Sequence, residues 1–276
     1  MVVYLSGSVL VSDNCAFRYN QAQARNGSAI AAYTSTLTID VDYAAPIVAP
    51  TRADERALVN APLATACDPA HKQCNSLYSN TAISSTVSNG NGGAIYSNAS
   101  ALTVNSAYLH RNTAARGGAM YQEGAGAIGN ISNTLIYSNT SLQSLGAGIR
   151  NSGGAITMTH ATIANNVGGA GYSPGAVQSY ISNSIIWGNS IGAFGALTTA
   201  TCNIDQAGIA GAATNPLFVS PGAGENYRLQ PGSPAIDACA TGLSADLVNI
   251  LRPKNALFDM GAFEFMARVY LPVIIK

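Results

Sequence analysis

Apolar residues recur along this chain in short alternating runs and not in a stripe of helical period. One pattern, an apolar residue followed three positions later by asparagine, returns from Phe17 to Asn20, Leu77 to Asn80, Leu109 to Asn112, Ile136 to Asn139, Ile163 to Asn166 and Ile186 to Asn189. From Asn112 onward the asparagines stand 27, 27 and 23 residues apart. A second, glycine-rich pattern precedes the last four of them, at Gly92–Tyr96, Gly117–Tyr121, Gly146–Arg150 and Gly168–Tyr172, with a weaker copy at Gly27–Ile30. Alternating stretches such as Leu102 to Val104 and Ile156 to Met158 lie between the two. Each period therefore predicts three short strands separated by Gly or Asn turns. Strands this short bury no face alone and must stack on copies of themselves. The expectation is an all-β fold, a single-stranded parallel β-helix with one coil per period. Roughly eight rungs at ~4.8 Å would make a rod near ~40 Å long.

The columns give sidedness. Phe17, Leu77, Leu109, Ile136, Ile163 and Ile186 are expected to stack inward in one parallel sheet. Asn20, Asn80, Asn112, Asn139, Asn166 and Asn189 would mark a turn, where Asn tolerates left-handed dihedrals and its amide can bond the next copy. Cys15 shares a column with Ala107, Thr134, Ala161 and Ser184, all small, and reads as a packed thiol rather than a nucleophile. Side chains alternate along a strand. The residue after each inward position should therefore face outward: Arg18, Tyr78, His110, Tyr137, Ala164 and Trp187. A second outward column reads Tyr96, Tyr121, Arg150 and Tyr172. Rings repeating on a rigid rod suit contact with sugars or a partner surface. Rings that merely stack to protect the sheet would give the same columns. His160 falls in a polar column with Asn14, Ser106, Asn133 and Asn183, which predicts a surface position beside a turn.

Residues 44–74 break the period, with Pro46, Pro50, Pro62 and Pro69 and the pair Cys67 and Cys74. They read as an insertion from one rung. Thr51 and Asp54 before an apolar run resemble a capped helical turn. The cysteine pair brackets a loop with His71; a small disulfide loop fits better than a metal knuckle, since there is no second close Cys pair. Disulfides point to an oxidising compartment. The opening segment from Met1 to Val11 has no basic region and no clear cleavage site, so it reads as a strand and not as a signal peptide.

Charged residues are only 9% of the chain, against about 25% in an average domain. The formal net charge is zero, which argues against a nucleic-acid partner. At 47% hydrophobic residues the chain is too apolar for disorder, yet no run approaches the ~18 residues of a membrane span. Paired carboxylates are the usual requirement for glycoside hydrolysis, and a calcium-assisted lyase needs several acidic ligands and a base. Between residues 75 and 200 the only acidic residue is Glu123. Neither a catalytic set nor a metal or cofactor site is expected.

After Cys202 the text changes. Asn215–Phe218, Tyr227–Leu229, Gly232–Asp237, Arg252-Pro253 and Asp259–Glu264 resemble the closing module of the choice-of-anchor Q domain proteins. These are bacterial surface and secreted proteins with right-handed parallel β-helices. The glycine-rich and asparagine repeats are also similar to those of polymorphic outer-membrane proteins and related autotransporter passengers. The resemblance implies coils over residues 1–201, a closing module over 202–265 and a short tail over 266–276. It implies an extracellular or bacterial cell-surface location. In this chain Cys239 stands where the family commonly has Gly, which offers a partner for Cys202. The module is expected to cap the open end of the solenoid, with Arg252, Asp237, Asp259 and Glu264 as a salt-bridged latch. The functional expectation is a non-catalytic adhesin, binding rod or spacer that contacts a glycan or cell-surface partner. A pectate-lyase-like lyase or a glycoside hydrolase is the alternative.

Overall fold

The computed structural model describes residues 3–13, 15–23, 26–27, 29–40, 75–83, 90–175, 178–193 and 197–266. The expected insertion at 44–74, with Cys67, Cys74, His71 and the turn after Thr51, lies outside the described residues, as does the tail from 267.

One coil shows the plan. Ile95–Asn98 lies in a first sheet, Ala101–Asn105 in a second, Ala107–His110 in a third, and Thr113–Ala114 in a short fourth strip; Met120–Glu123 then starts the next coil. Neighbouring coils pair in parallel, and the chain is a parallel β-helix. The fourth strip was not anticipated. It fuses with the first sheet where Val167–Pro174 runs through both without a break. Among the described residues the second and third sheets have seven strands each. The seven rungs among the described residues span about 29 Å.

The six apolar ladder residues lie in register in the third sheet, as expected: Phe17, Leu77, Leu109, Ile136, Ile163 and Ile186 are consecutive partners. From Leu77 to Ile186 they are fully buried. Ile39, Val104, Ile131, Met158 and Ile181 form a matching ladder in the second sheet. Ile30, Ile95, Met120 and Ile149 form one in the first. Burying each such side chain contributes about 1.5–3 kcal/mol. The third-sheet ladder ends on Asp205, paired with Ile186. Its buried carboxylate accepts the N–H groups of Ala193, Ile209 and Ala210 and so closes this end of the core.

The asparagines stack, but they are not the left-handed residues. Those are their predecessors, Tyr19, Ser79, Arg111, Ser138, Asn165 and Gly188, all with φ between 52° and 72°. Each turn thereby swings its asparagine inward. From Asn20 through Asn166, each Nδ2 and backbone N–H donate to Oδ1 of the asparagine in the next coil, at 2.8–3.1 Å. Gln206 ends the series by accepting from Asn189 N. The Gly pairs divide two tasks. Gly92 takes a φ of 70°, while Gly93 admits the carbonyl of Gly118 from the next coil, where a Cβ would collide.

The closing module does not lie over the open end. It folds back along the outer face of the third sheet. Phe218, Tyr227, Leu229, Leu247, Ala262 and Phe263 bury against Tyr108, Leu135, Tyr137, Ala164 and Ile185. The reason is supply: Asp205 and Ala210 already seal the end, while the third sheet's outer face carries apolar residues that need cover. The recognised motif residues are the fasteners. Asn215 Oδ1 accepts from Leu217 N, Ser233 Oγ donates to Pro216 O, and the Arg228 guanidinium lies 4.4 Å over Phe263. The Cys202–Cys239 disulfide ties the module to the last coil, as expected.

Candidate functional site

The column expected to face outward on the third sheet has the expected register from Arg18 through Tyr78, His110, Tyr137 and Ala164 to Trp187. Its rings stack: Tyr78 on His110 at 5.0 Å and His110 on Tyr137 at 4.7 Å. It is not an open platform. His110, Tyr137 and Ala164 are buried, with Tyr227 of the module 5.1 Å from Tyr137 and Phe218 behind it. Trp187 is half-buried against the same module. Arg111 and Glu225, paired at 2.6 Å, clamp the rim. Alternation correctly gave the direction of these side chains; a tertiary contact covers them. Among the described residues the column is exposed at Arg18 and half-buried at Tyr78 and Trp187, with the exposed Tyr19 beside Arg18.

Two histidines bear on chemistry. His110 Nε2 lies 3.5 Å from Ser76 Oγ, superficially a base beside a nucleophile. Burial, aided by Arg111, holds its pKa down to about 3, far from the range a general base needs at neutral pH. Its Nδ1 has no partner, so no acid orients the ring. His160 is not on the surface as its column suggested. It is buried under the module, where Nε2 accepts from Leu243 N–H and Nδ1 faces the Arg252 guanidinium. Burial and Arg252 hold it down to about 2.

The expected latch is a buried network. Arg252 stands 3.7 Å from Glu264 and donates to the carbonyls of Asp259 and Gly261. Burial, with Asp259 nearby, pushes Glu264 up to about 7. Asp237 stays at the edge, accepting from Asn255 and Leu257. Asp246 was missed. It is buried and accepts the N–H groups of Val248, Ile250 and Glu264. Its bonds all go to backbone N–H groups and so left no residue pattern in the sequence.

The first sheet carries the better surface. Tyr4, Ala31, Tyr96, Tyr121, Arg150 and Ser173 are successive partners on its outer face. Tyr172 is not among them. It pairs with Ile149 and points into the core, its hydroxyl 2.6 Å from Ser179 Oγ. The glycine-rich text at 168–172 aligns one residue away from the reading above, and a one-residue shift reverses the side. Two positions along the strand, Tyr33, Asn98 and Glu123 form a parallel column. The rings run Tyr4, Tyr33, Tyr96, Tyr121 at centroid spacings of 5.3, 5.2 and 6.0 Å. Tyr96 OH donates to Glu123 Oε1, which also accepts from Asn98 Nδ2 at 3.1 Å. Burial and the Glu123 bond raise the Tyr96 pKa, so the phenol stays protonated. Ser152 Oγ lies 3.0 Å from Tyr121 OH, and Arg150 reaches Ser173 Oγ at 2.8 Å. Tyr96 and Tyr121 are buried; Tyr33, Asn98, Glu123 and Arg150 are half-buried, and Tyr4 is 65% exposed. Tyr4 and Tyr33 were missed because the first coils lack a full glycine-rich copy. Their outward parity with Tyr96 and Asn98 was the available signal.

Chemically, this is an aromatic ledge edged by one carboxylate and one guanidinium. Glu123 is held by Tyr96 and Asn98, and among the described residues no three His, Cys, Asp or Glu side chains gather as a metal site. No family model matches the chain, and neither a curated protein nor a solved structure does.

Proposed function

We propose that the protein is a non-catalytic binding rod, displayed outside the cytoplasm or on a bacterial surface, that contacts a glycan or a glycan-bearing partner through the outer face of its first sheet. The observation that carries this reading is the row of four stacked tyrosines, accessible at Tyr4 and Tyr33 and backed by the buried Tyr96 and Tyr121, with the half-buried Glu123, Asn98 and Arg150 at its edge. Tyrosine offers an apolar face to a sugar ring and a polar tip to its hydroxyls. Repetition at rung spacing favours several weak contacts along one chain. The disulfide and the resemblance of the closing motifs support an oxidising, extracellular setting. No described helix is long and apolar enough to cross a membrane. The test is a glycan array run beside reducing-sugar assays on the same glycans. Binding that is lost on Tyr33→Ala supports the reading. Cleavage of any glycan, or binding indifferent to the ledge, overturns it.

A further inference from the structure

The closing module shuts over a histidine of the solenoid. His160 follows the second-sheet strand Ala155–Thr159 and is wholly buried. Its Nε2 accepts from Leu243 N–H at 3.2 Å and lies 3.1 Å from Asn183 Nδ2. Asn183 Nδ2 also donates to Thr241 O, which sets the nitrogen of that amide toward this corner. Nδ1 faces the Arg252 guanidinium, which the carbonyls of Asp259 and Gly261 hold in place. A Cβ on Gly242 would begin 2.5 Å from Nε2, so module backbone lies directly on the ring. A proton added at Nε2 would point at an N–H group and charge the ring beside a buried cation. The neutral ring fits this corner and the imidazolium does not.

The partners belong to two bodies. His160 and Asn183 are part of the solenoid, while Leu243, Arg252 and Phe258 are part of the module. Arg252 is the charged group facing the ring, and Asp246, Asp259 and Glu264 surround Arg252 in turn. Those three carboxylates accept from N–H groups of the module itself, at Asp237, Val248, Ile250, Lys254, Glu264 and Phe265. The module thus carries its own polar frame and can part from the solenoid as a unit. It meets the solenoid through apolar contact, the Arg111–Glu225 pair, and the N–H groups of Gly261 and Ala262, which donate to Asn183 O and Thr162 Oγ1.

We propose that this contact is an acid-sensitive latch: protonation of His160 loosens the module from the third sheet, leaves the Cys202–Cys239 disulfide as tether, and uncovers the His110–Tyr137 column. The sign follows from the two states. Docked, the ring is held down to about 2 by burial and Arg252. Undocked, it takes a proton at its ordinary 6.5. Its support for docking is therefore complete above pH 6.5 and is lost as pH falls, by about tenfold in the docking equilibrium per pH unit. His110, in the covered column and beside Arg111, adds a second group of the same sign. Glu264 keeps its hydrogen bonds inside the module in both states. The latch stands whether or not the first sheet binds a glycan.

The test uses the whole oxidised protein. Urea unfolding is followed by the emission of Trp187, the single tryptophan, which packs on the module, and by the circular dichroism of the solenoid. Between about pH 7 and about pH 5 the Trp187 transition should move to lower urea ahead of the circular dichroism. His160→Gln keeps an uncharged acceptor and should weaken that pH dependence by about tenfold in the docking equilibrium per pH unit below 6.5. A folded His160→Gln protein whose docking follows pH as steeply as the parent overturns the proposal. The parent protein alone decides it as well: transitions that coincide at every pH mean that the module never loosens separately, and overturn it too.

Discussion

At the scale of single residues the asparagine ladder is the feature most exposed to damage. Asn139 accepts from Asn112 N and Nδ2, and donates to Leu109 O and Asn166 Oδ1. Asn139→Ala would strand several buried groups at about 1–3 kcal/mol each. The expected loss is about 3–5 kcal/mol, at least as large as for Leu109→Ala beside it, where cavity formation costs about 2–5 kcal/mol. Urea unfolding of the two variants measures the order; a near-neutral Asn139→Ala would mean the ladder is ornamental. His110 adds a pH dependence. Its folded pKa near 3 lies below the ordinary 6.5, so its contribution is present above pH 6.5 and is lost as pH falls. Glu264 acts oppositely: raised from 4.5 to about 7, it makes the fold less stable as pH rises through that interval. His110→Phe keeps the stacking and removes only the first effect. Between pH 6 and 4.5 the variant should lose about 1.4 kcal/mol per pH unit less than the parent protein. Denaturant midpoints across that range decide it; parallel curves would refute neutral burial of this imidazole.

At the scale of elements, what could be read from the sequence depended on parity and length. The third-sheet ladder was legible because an apolar residue and an asparagine three positions on repeat in six coils. The strip Thr113–Ala114 was not, since two residues carry no alternation. Tyr172 was misplaced because glycine-rich text admits two alignments that differ by one residue. The module's position was illegible for another reason. Its motifs specify internal fasteners such as Ser233 and Arg228, and only the outer residues Tyr108, Leu135 and Ile185 show where it docks. Alternation alone had those side chains facing solvent. The disulfide that holds the module closes a loop with a sequence separation of 37 residues, for which chain entropy gives about 4 kcal/mol. Trp187, the single tryptophan, packs against the module and reports on it. The Cys202→Ser/Cys239→Ser variant should stay folded at rest, since the apolar contact remains. Its tryptophan emission should shift red at a lower urea concentration than in the parent protein. Coincident transitions would show that the disulfide adds nothing to docking.

At the scale of the whole molecule, the rod's faces differ in what they can offer. The third sheet is roofed by the module over its later coils, and the core end is sealed by Asp205. The first sheet keeps Tyr4 exposed and Tyr33 half-buried at one end of its tyrosine row, with Tyr96 and Tyr121 buried behind them, and at that end the proposed contact can be separated from structure. Tyr4 is 65% exposed and Tyr33 half-buried, so replacing both with Ala removes ring area at little cost to the core. Tyr137, fully buried between His110 and Tyr227, is the contrasting case. Tyr137→Ala should cost about 3–5 kcal/mol of stability, as for any large buried aromatic side chain. Tyr4→Ala/Tyr33→Ala should leave the thermal midpoint nearly unchanged and weaken glycan binding by about 1–3 kcal/mol, the range of an interface anchor. The ledge carries one negative and one positive side chain, Glu123 and Arg150, so affinity should change little between low and physiological salt. Calorimetric titration at two ionic strengths, with the double variant and Tyr137→Ala side by side, reads all three expectations. If the folded double variant binds as tightly as the parent protein, the contact lies elsewhere and the accessible Arg18, Tyr19 and Tyr78 patch becomes the next surface to test. A steep salt dependence would instead mark an ionic interface, which a ledge of four tyrosines with balanced charge does not provide.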